Sequence, residues 1–151
     1  QSDEIESLFV LREPLIFILP KDHPLAKYER IPVKALNGID FIIPAIEQSQ
    51  TLHNLILDFA KSHNIELNIV QKADNILFNI NSIGMGLGCT ILPGYIAPLT
   101  MHNTVIRPLD VELPHLDLYV SYRKNSTSVA VTKFIELLTR VFYLGFNRET
   151  E

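Results

Sequence analysis

The sequence predicts an α/β fold, in which helices cover a parallel or mixed sheet. Three short, continuous apolar runs are typical of buried strands: "PLIFILP" (14–20), "IDFIIP" (39–44) and "CTILP" (89–93). Between the second and third of these runs lie two amphipathic segments with helical spacing. Strand, helix, strand, helix, strand in this order predicts one α/β lobe.

The elements of this lobe follow one another along the chain. After the first strand, turn residues surround a short helix at Val33–Leu36, which Asn37 and Gly38 close. "QSQTLHNLILDFAKSH" is predicted to be a helix capped by Ser49 or Thr51, with an apolar face of Leu52, Leu55, Ile56 and Phe59. "IELNIVQ" is the next strand, and a second helix follows, capped by Asp74 or Asn75 and with Ile76, Leu77, Ile80 and Ile83 at helical spacing.

Three glycines in "SIGMGLGCTILP" (82–93) invite comparison with a phosphate-binding loop. Such loops bind phosphate because they precede a helix and point its free N–H groups at the anion. Here the helix precedes the glycines and a strand follows them. We therefore expect a helix-to-strand corner in which Gly84 takes the left-handed cap conformation, and no nucleotide site.

Beyond Pro93 the sequence predicts a short turn or helix at "GYIAPL", a strand at "TVIRPL" and a strand at 116–123. A terminal helix follows, capped by Ser126 or Ser128, with a stripe of Phe134, Leu137, Leu138 and Val141. The first lobe is complete without this helix, so the stripe belongs to a second lobe that is only partly present. We expect the chain to be a fragment and to self-associate through surfaces that a longer parent would use or cover.

Composition and motifs exclude several classes of protein. The net charge of −4 argues against a nucleic-acid-binding surface on this segment. Five histidines show no metal-ligand spacing, no catalytic signature appears, and no apolar run reaches membrane-spanning length. The single cysteine, Cys89, is predicted to be a small buried hydrophobe. We expect no enzyme activity, metal or cofactor, and no membrane partner.

The candidate binding site lies where "IDFIIP" runs into "AIEQSQTLHN". In an open α/β sheet, ligands bind outside the carboxyl ends of the strands, at the start of the next helix. Ser49, Gln50 and Thr51 place hydroxyls, an amide and free N–H groups there, which suits a small carboxylate. Taken alone, the pattern is more simply explained by Ser49 or Thr51 capping the helix.

"LREPLIFILPKDHPLA" followed by "FIIP", and later "GMGLGCTILPGYIAPL" and "VIRPL", resembles the effector-binding domain of LysR-type transcriptional regulators. The resemblance covers about Leu8 to Phe146, and the closing "RVFYLGF" is similar to the branch that controls breakdown of aromatic compounds. It implies a periplasmic-binding-protein-like fold of two lobes joined by two crossovers, with the effector in a cleft. Arg12 and Glu13 would fall at the first crossover and Leu116–Leu118 at the second.

The resemblance implies that 13–116 form the complete, Rossmann-like lobe II, whereas 1–12 and 117–151 are a remnant of lobe I. The family's N-terminal winged helix-turn-helix is absent from these residues, so any DNA contact would come from there. The resemblance also favours the binding role at the helix start. The candidate effector-binding residues are Arg12, Pro44, Ser49, Gln50, Thr51 and Leu118.

The leading functional hypothesis is a cytoplasmic effector sensor. A small carboxylate would bind in the cleft and change DNA binding and transcription by a homodimer or homotetramer. The alternative is a periplasmic solute-binding protein of a transport system, built on the same two-lobe plan.

Overall fold

The computed structural model describes residues 5–100, 102–124 and 128–146, with side chains up to 142. It contains six strands and three α-helices. The strands are β1 (Ile5–Pro20), β2 (Asp40–Pro44), β3 (Asn68–Ala73), β4 (Thr90–Pro93), β5 (Thr104–Ile106) and β6 (His115–Arg123). The helices are α1 (Gln50–Ser62), α2 (Ile76–Gly84) and α3 (Val129–Phe146), and 3-10 turns lie at Pro24–Lys27, Val33–Leu36 and Gly94–Leu99.

The chain divides into two compact units. The first consists of Gln1–Glu13 and Asp117–Glu151, and the second of Pro14–Leu116. Strand β1 contributes residues to both units. The assignment of these units to a complete lobe and a remnant stays a prediction.

The strands of the second unit form a mixed arrangement, as the sequence predicts. The second half of β1 lies between β4 and β5 and pairs antiparallel with both, and Ile18 is opposite both Thr90 and Ile106. Strands β2 and β3 pair in parallel. A parallel bridge between Phe41 and Cys89 connects β2 to the start of β4.

The core of the second unit is built from the buried apolar strands and the inner faces of α1 and α2. Helix α1 buries Leu52, Ile56 and Phe59, whereas Leu55 is half-buried. Helix α2 buries Ile80 and Ile83. Burying each such side chain stabilises the fold by about 1.5–3 kcal/mol, so these faces hold the helices against the sheet.

Leu77 departs from the predicted apolar face of α2, since 60% of its surface is exposed. Ile76 is half-buried, Ile80 and Ile83 lie one and two turns further on, and Leu77 projects away from them. The strand predicted at 65–71 also begins later, at Asn68. Ile65 is buried in the connection between α1 and β3, where its N–H donates to the carbonyl of Ala60 in α1.

The prediction that Gly84 takes the left-handed conformation is wrong. Gly84 is the last residue of α2, and Gly86 has the positive φ of 81°. The N–H of Gly86 donates to Ile83 and that of Leu87 to Ser82. These two bonds form a Schellman motif, which satisfies the last carbonyls of the helix and places the left-handed residue two positions later than expected.

Gly88 is required by a close approach between two backbones. A Cβ atom at this position would lie 2.8 Å from the carbonyl oxygen of Asp40. The adjacent N–H of Cys89 donates to that same oxygen at 2.8 Å. Glycine therefore lets the chain entering β4 lie directly against β2.

The first unit combines the beginning of β1 with β6 and α3. Strand β6 pairs with β1, with Ser7 bonded to Ser121 and Phe9 in edge contact with Tyr119. Val120 and Tyr122, two residues apart on β6, are half-buried. Ser128 precedes the first residue of α3, whereas the alternative cap Ser126 lies outside the described residues.

No helix in the described ranges is both long and apolar enough to span a membrane.

Candidate functional site

A cavity of about 240 Å³ lies in the second unit, where three strands end and two helices begin. The lining residues come from the ends of β2, β3 and β4, from the caps and first turns of α1 and α2, and from positions before α1, after β4 and in β6. They are Pro44, Gln48, Ser49, Leu52, Ala73, Asn75, Ile76, Asn79, Leu92, Pro93, Tyr95 and Leu116. Parallel strands of an α/β sheet present their ligand sites at this edge. The cavity is therefore the candidate site.

The start of α1 forms one side of the cavity. Ser49 caps the helix, and its Oγ accepts a hydrogen bond from the N–H of Leu52 at 3.3 Å. A hydroxyl that accepts in this way still has a proton to donate. His53 in the same helix bonds through Nδ1 to the carbonyl oxygen of Pro44 at 2.8 Å, which fixes the helix start against the end of β2.

The start of α2 forms a second side. Asn75 caps this helix by accepting, at its Oδ1, the N–H of Phe78 at 2.8 Å. Its side-chain NH2 group adds two hydrogen-bond donors to a residue that lines the cavity. Of the two caps the sequence allowed, Asn75 is therefore the one used.

The electrostatics of the cavity favour an anion. Two helix N-termini meet there, and each carries a partial positive charge and N–H groups without partners in the helix. Among the residues that the structure describes, no aspartate, glutamate, lysine or arginine lines the cavity. Glu47 and Asp74 precede the two helix caps in sequence but are not among the residues that line the cavity.

Asn79 is the residue at this site that the sequence analysis missed. It lies four residues after Asn75 on α2, lines the cavity and is only 1% exposed. Its Oδ1 has no hydrogen-bond partner among the residues that the structure describes. A polar residue among the buried isoleucines of α2 was the available signal.

The structure brings together only part of the predicted residue set. Pro44 and Ser49 line the cavity. Gln50 and Thr51 are exposed in the first turn of α1 and are not among the residues that line it. The binding roles of all these residues stay predictions.

The other two predicted residues belong to the first unit. The guanidinium of Arg12 donates to both carboxylate oxygens of Asp117, at 2.8 and 3.0 Å. This hydrogen-bonded ion pair raises the pKa of Arg12, which is ionised in any case. Leu118 is 41% exposed on β6.

Within the described ranges, no three His, Cys, Asp or Glu side chains are grouped to hold a metal ion.

Comparison with known proteins gives the class of protein and then the family. In fold, the chain matches two-lobe α/β effector-binding domains of the periplasmic-binding-protein type. The regulatory domain of CcmR from Synechocystis PCC6803, solved with 2-PG, superposes with a TM-score of 0.80 at 22% identity over 94% of this chain and 69% of that one. The effector-binding domain of QuiR, solved with shikimate, gives 0.80 at 21% identity over 95% and 68%.

The protein-family model of the LysR substrate binding domain matches residues 1–142, and the chain belongs to that family. The Hca operon transcriptional activator HcaR of Escherichia coli (strain K12) is 35% identical over 137 residues, which are 91% of this chain and 46% of that protein. The regulator AlsR of Bacillus subtilis (strain 168) is 27% identical over 82% of this chain and 41% of its own length. The chain thus spans about half the length of these curated relatives, and they are transcriptional regulators.

Proposed function

We propose that this chain is the effector-sensing part of a LysR-type transcriptional regulator and that a small organic acid binds in the cavity between α1 and α2. The observation that carries the proposal is the meeting of two capped helix N-termini at a cavity whose described lining residues include no Asp, Glu, Lys or Arg. Membership of the LysR substrate-binding family supports a regulator rather than a transport protein.

The carboxylate of the effector would take its hydrogen bonds from α1 and α2. Ser49 offers its hydroxyl proton, and Gln50 and Thr51 offer backbone N–H groups of the first helical turn. Buried apolar residues, Leu52, Ala73 and Leu92, would contact the carbon skeleton. The cavity volume lies just below the usual range of about 300–1,000 Å³, which favours a small acid.

Substitutions of Ser49 test this proposal. The ligands are benzoate, shikimate and 2-PG, because the structurally similar domains of BenM, QuiR and CcmR were solved with these compounds. Ser49→Asp preserves a good helix cap but replaces the donor with a negative charge, so we expect the dissociation constant of each acid that binds to rise at least about tenfold. Ser49→Asn is the matched control, because it keeps both a cap and a donor. Isothermal titration calorimetry measures all three proteins.

Thr51→Ala separates the hydroxyl of Thr51 from its backbone N–H. Because the side chain is exposed and the backbone is unchanged, we expect an affinity within about twofold of the original chain. Affinity that survives Ser49→Asp, or an original chain that binds none of the three acids, would reject the proposed site.

We further propose that the effector changes DNA binding and transcription by a homodimer or homotetramer in the cytoplasm, without chemical change to the effector. Relatives such as AlsR are named HTH-type regulators, and this chain matches less than half of each. The net charge of −4 supports placing DNA contact in the part that it does not match. The purified chain should therefore retard no DNA fragment, and a bound acid should be recovered unaltered.

A further inference from the structure

We propose that Asn79 selects effectors that carry a hydroxyl group in addition to the acid group. This inference rests on the proposed function and narrows it from small organic acids to small hydroxy acids. It starts from the buried side-chain oxygen of Asn79, which has no partner in the described part of the chain.

Packing alone does not explain an asparagine at this position. The neighbouring inward positions of α2 hold Ile80 and Ile83, which are buried and apolar. The other buried polar side chain of this helix, Ser82, has a partner, because its hydroxyl donates to the carbonyl of Phe78 at 2.9 Å. Asn79 therefore bears an unmatched acceptor where an apolar residue would be less costly to bury.

The position of Asn79 points to a ligand as its partner. It lies one helical turn beyond Asn75, and both residues line the cavity. A ligand that fills the cavity without offering a donor leaves the oxygen of Asn79 buried and unpaired, whereas a ligand hydroxyl that reaches it supplies the missing hydrogen bond.

A binding site built around a buried polar group discriminates strongly between a ligand that carries the matching hydroxyl and an analogue that lacks it. An analogue that lacks the matching hydroxyl leaves the protein's own acceptor unsatisfied, so it is rejected more strongly than lost contact area alone would require. The helix N-termini would hold the acid group and Asn79 the hydroxyl. The two recognition elements are thus on different residues and can be tested separately.

The probes are benzoate, 3- and 4-hydroxybenzoate, and the corresponding 3- and 4-fluorobenzoates. Fluorine adds a substituent at the same position without an O–H donor, so the fluorinated acids control for size. In the original chain we expect at least one hydroxybenzoate to bind about 10- to 100-fold more tightly than both benzoate and its fluoro counterpart. Equal affinities within each set would overturn the inference without any variant.

Asn79→Leu removes the acceptor and keeps the number and branching of the side-chain heavy atoms. We expect it to bind benzoate at least as tightly as the original chain does, and to lose the preference for the hydroxybenzoate. Ser82→Ala is the matched control, a polar-to-apolar change on the same helix, and should keep the preference. Circular dichroism confirms folding, and Asn79→Ala replaces Asn79→Leu if the latter does not fold.

Two failures are distinguishable. In one outcome, benzoate and the hydroxybenzoates bind, Ser49→Asp weakens the binding of each, and Asn79→Leu keeps the preference for the hydroxyl. The inference is then wrong and the proposed function stands. If none of the five acids binds the original chain, the inference fails, and if shikimate and 2-PG do not bind either, the proposed function fails with it.

Discussion

Cys89 is a buried residue whose environment disfavours ionisation of its thiol. It is fully buried between β2 and β4, and its N–H and carbonyl oxygen bond to Asp40 and Ile42. Burial, with a smaller contribution from the charge of Asp40, raises the pKa of the thiol to about 12. The thiolate, which is the reactive form, is therefore scarce at neutral pH.

We expect a thiol reagent at about pH 8 to label Cys89 at least about 100-fold more slowly in the native chain than in the urea-unfolded chain. The measurement is the rate of adduct formation by mass spectrometry. Fast labelling while the circular dichroism spectrum stays native would contradict a buried, protonated thiol.

His23 makes the stability of the chain depend on pH. Its Nδ1 accepts the N–H of Leu25 at 3.2 Å and caps the first 3-10 turn, which requires a neutral ring. Burial lowers the pKa of His23, against a smaller opposing effect of Asp40. The stabilising contribution is therefore fully present above the ordinary histidine pKa of about 6.5 and is lost as the pH falls through the lowered value.

The variant His23→Asn keeps a side-chain hydrogen-bond acceptor at the cap but has no titrating group there. Urea unfolding at several pH values between about 7.5 and 5 should show a smaller loss of stability on acidification for His23→Asn than for the original chain. Parallel curves would assign the pH dependence to other groups.

Gly88 and Gly84 make opposite predictions, although they lie in one corner of the fold. In Gly88→Ala the new methyl group would meet the backbone of Asp40, which cannot move without disturbing β2, so we expect a loss of about 1–3 kcal/mol. In Gly84→Ala the atoms nearest the methyl group would belong to the side chain of Asn103, which can shift more easily than backbone. Alanine also favours helix by about 1 kcal/mol, so the net change should be small.

Urea denaturation of the two variants measures this difference directly. A Gly88→Ala protein as stable as Gly84→Ala would mean that the contact between the start of β4 and β2 is looser than described.

At the scale of elements, the sequence predicts most of the second unit because its signals are local. Ser49 and Asn75 are polar cap residues directly before an apolar helical period, and both prove to be the caps. The last turn of α2 was misplaced because three nearby glycines can all supply a left-handed residue, and only the observed hydrogen bonds single out Gly86.

The candidate site is partly readable for the same reason. The start of α1 follows from the rule that ligands bind beyond strand ends, and Ser49 lies there. Asn79 is not found in this way, because it lies one turn into α2 and is distinguished by its burial without a hydrogen-bond partner among the described residues. The strand pairings of β1 were also out of reach, since no local pattern states which distant strand lies beside it.

Helix α3 carries the clearest unpartnered surface among the described elements. Phe134, Leu137 and Val141 follow one another along one face and are 54%, 57% and 54% exposed. Leu138, also part of the predicted stripe, is half-buried. Covering each exposed side chain fully would contribute up to about 1.5–3 kcal/mol, so a second copy of this face is a favourable partner.

At the scale of the whole molecule, this surface predicts self-association. Sedimentation velocity across a concentration series should show the original chain forming dimers, and Leu137→Lys should move the population towards monomer. Glu136→Lys introduces the same side chain at an exposed position outside the stripe, about 100° around the helix from Leu137, and should leave the dimer in place. A monomer at all concentrations, with α3 protected from hydrogen exchange, would show that the chain covers the stripe itself.

The pairing of β1 with β4 and β5 also decides when the second unit can fold during synthesis. Strands β2 and β3 and helices α1 and α2 are neighbours in sequence, so their contacts can form while the chain is still emerging from the ribosome. Strand β1 emerges earlier, but its pairing in this unit requires residues up to Ile106. Its apolar stretch "PLIFILP" therefore stays unpaired, and accessible to chaperones and to other nascent chains, until β4 and β5 have been translated.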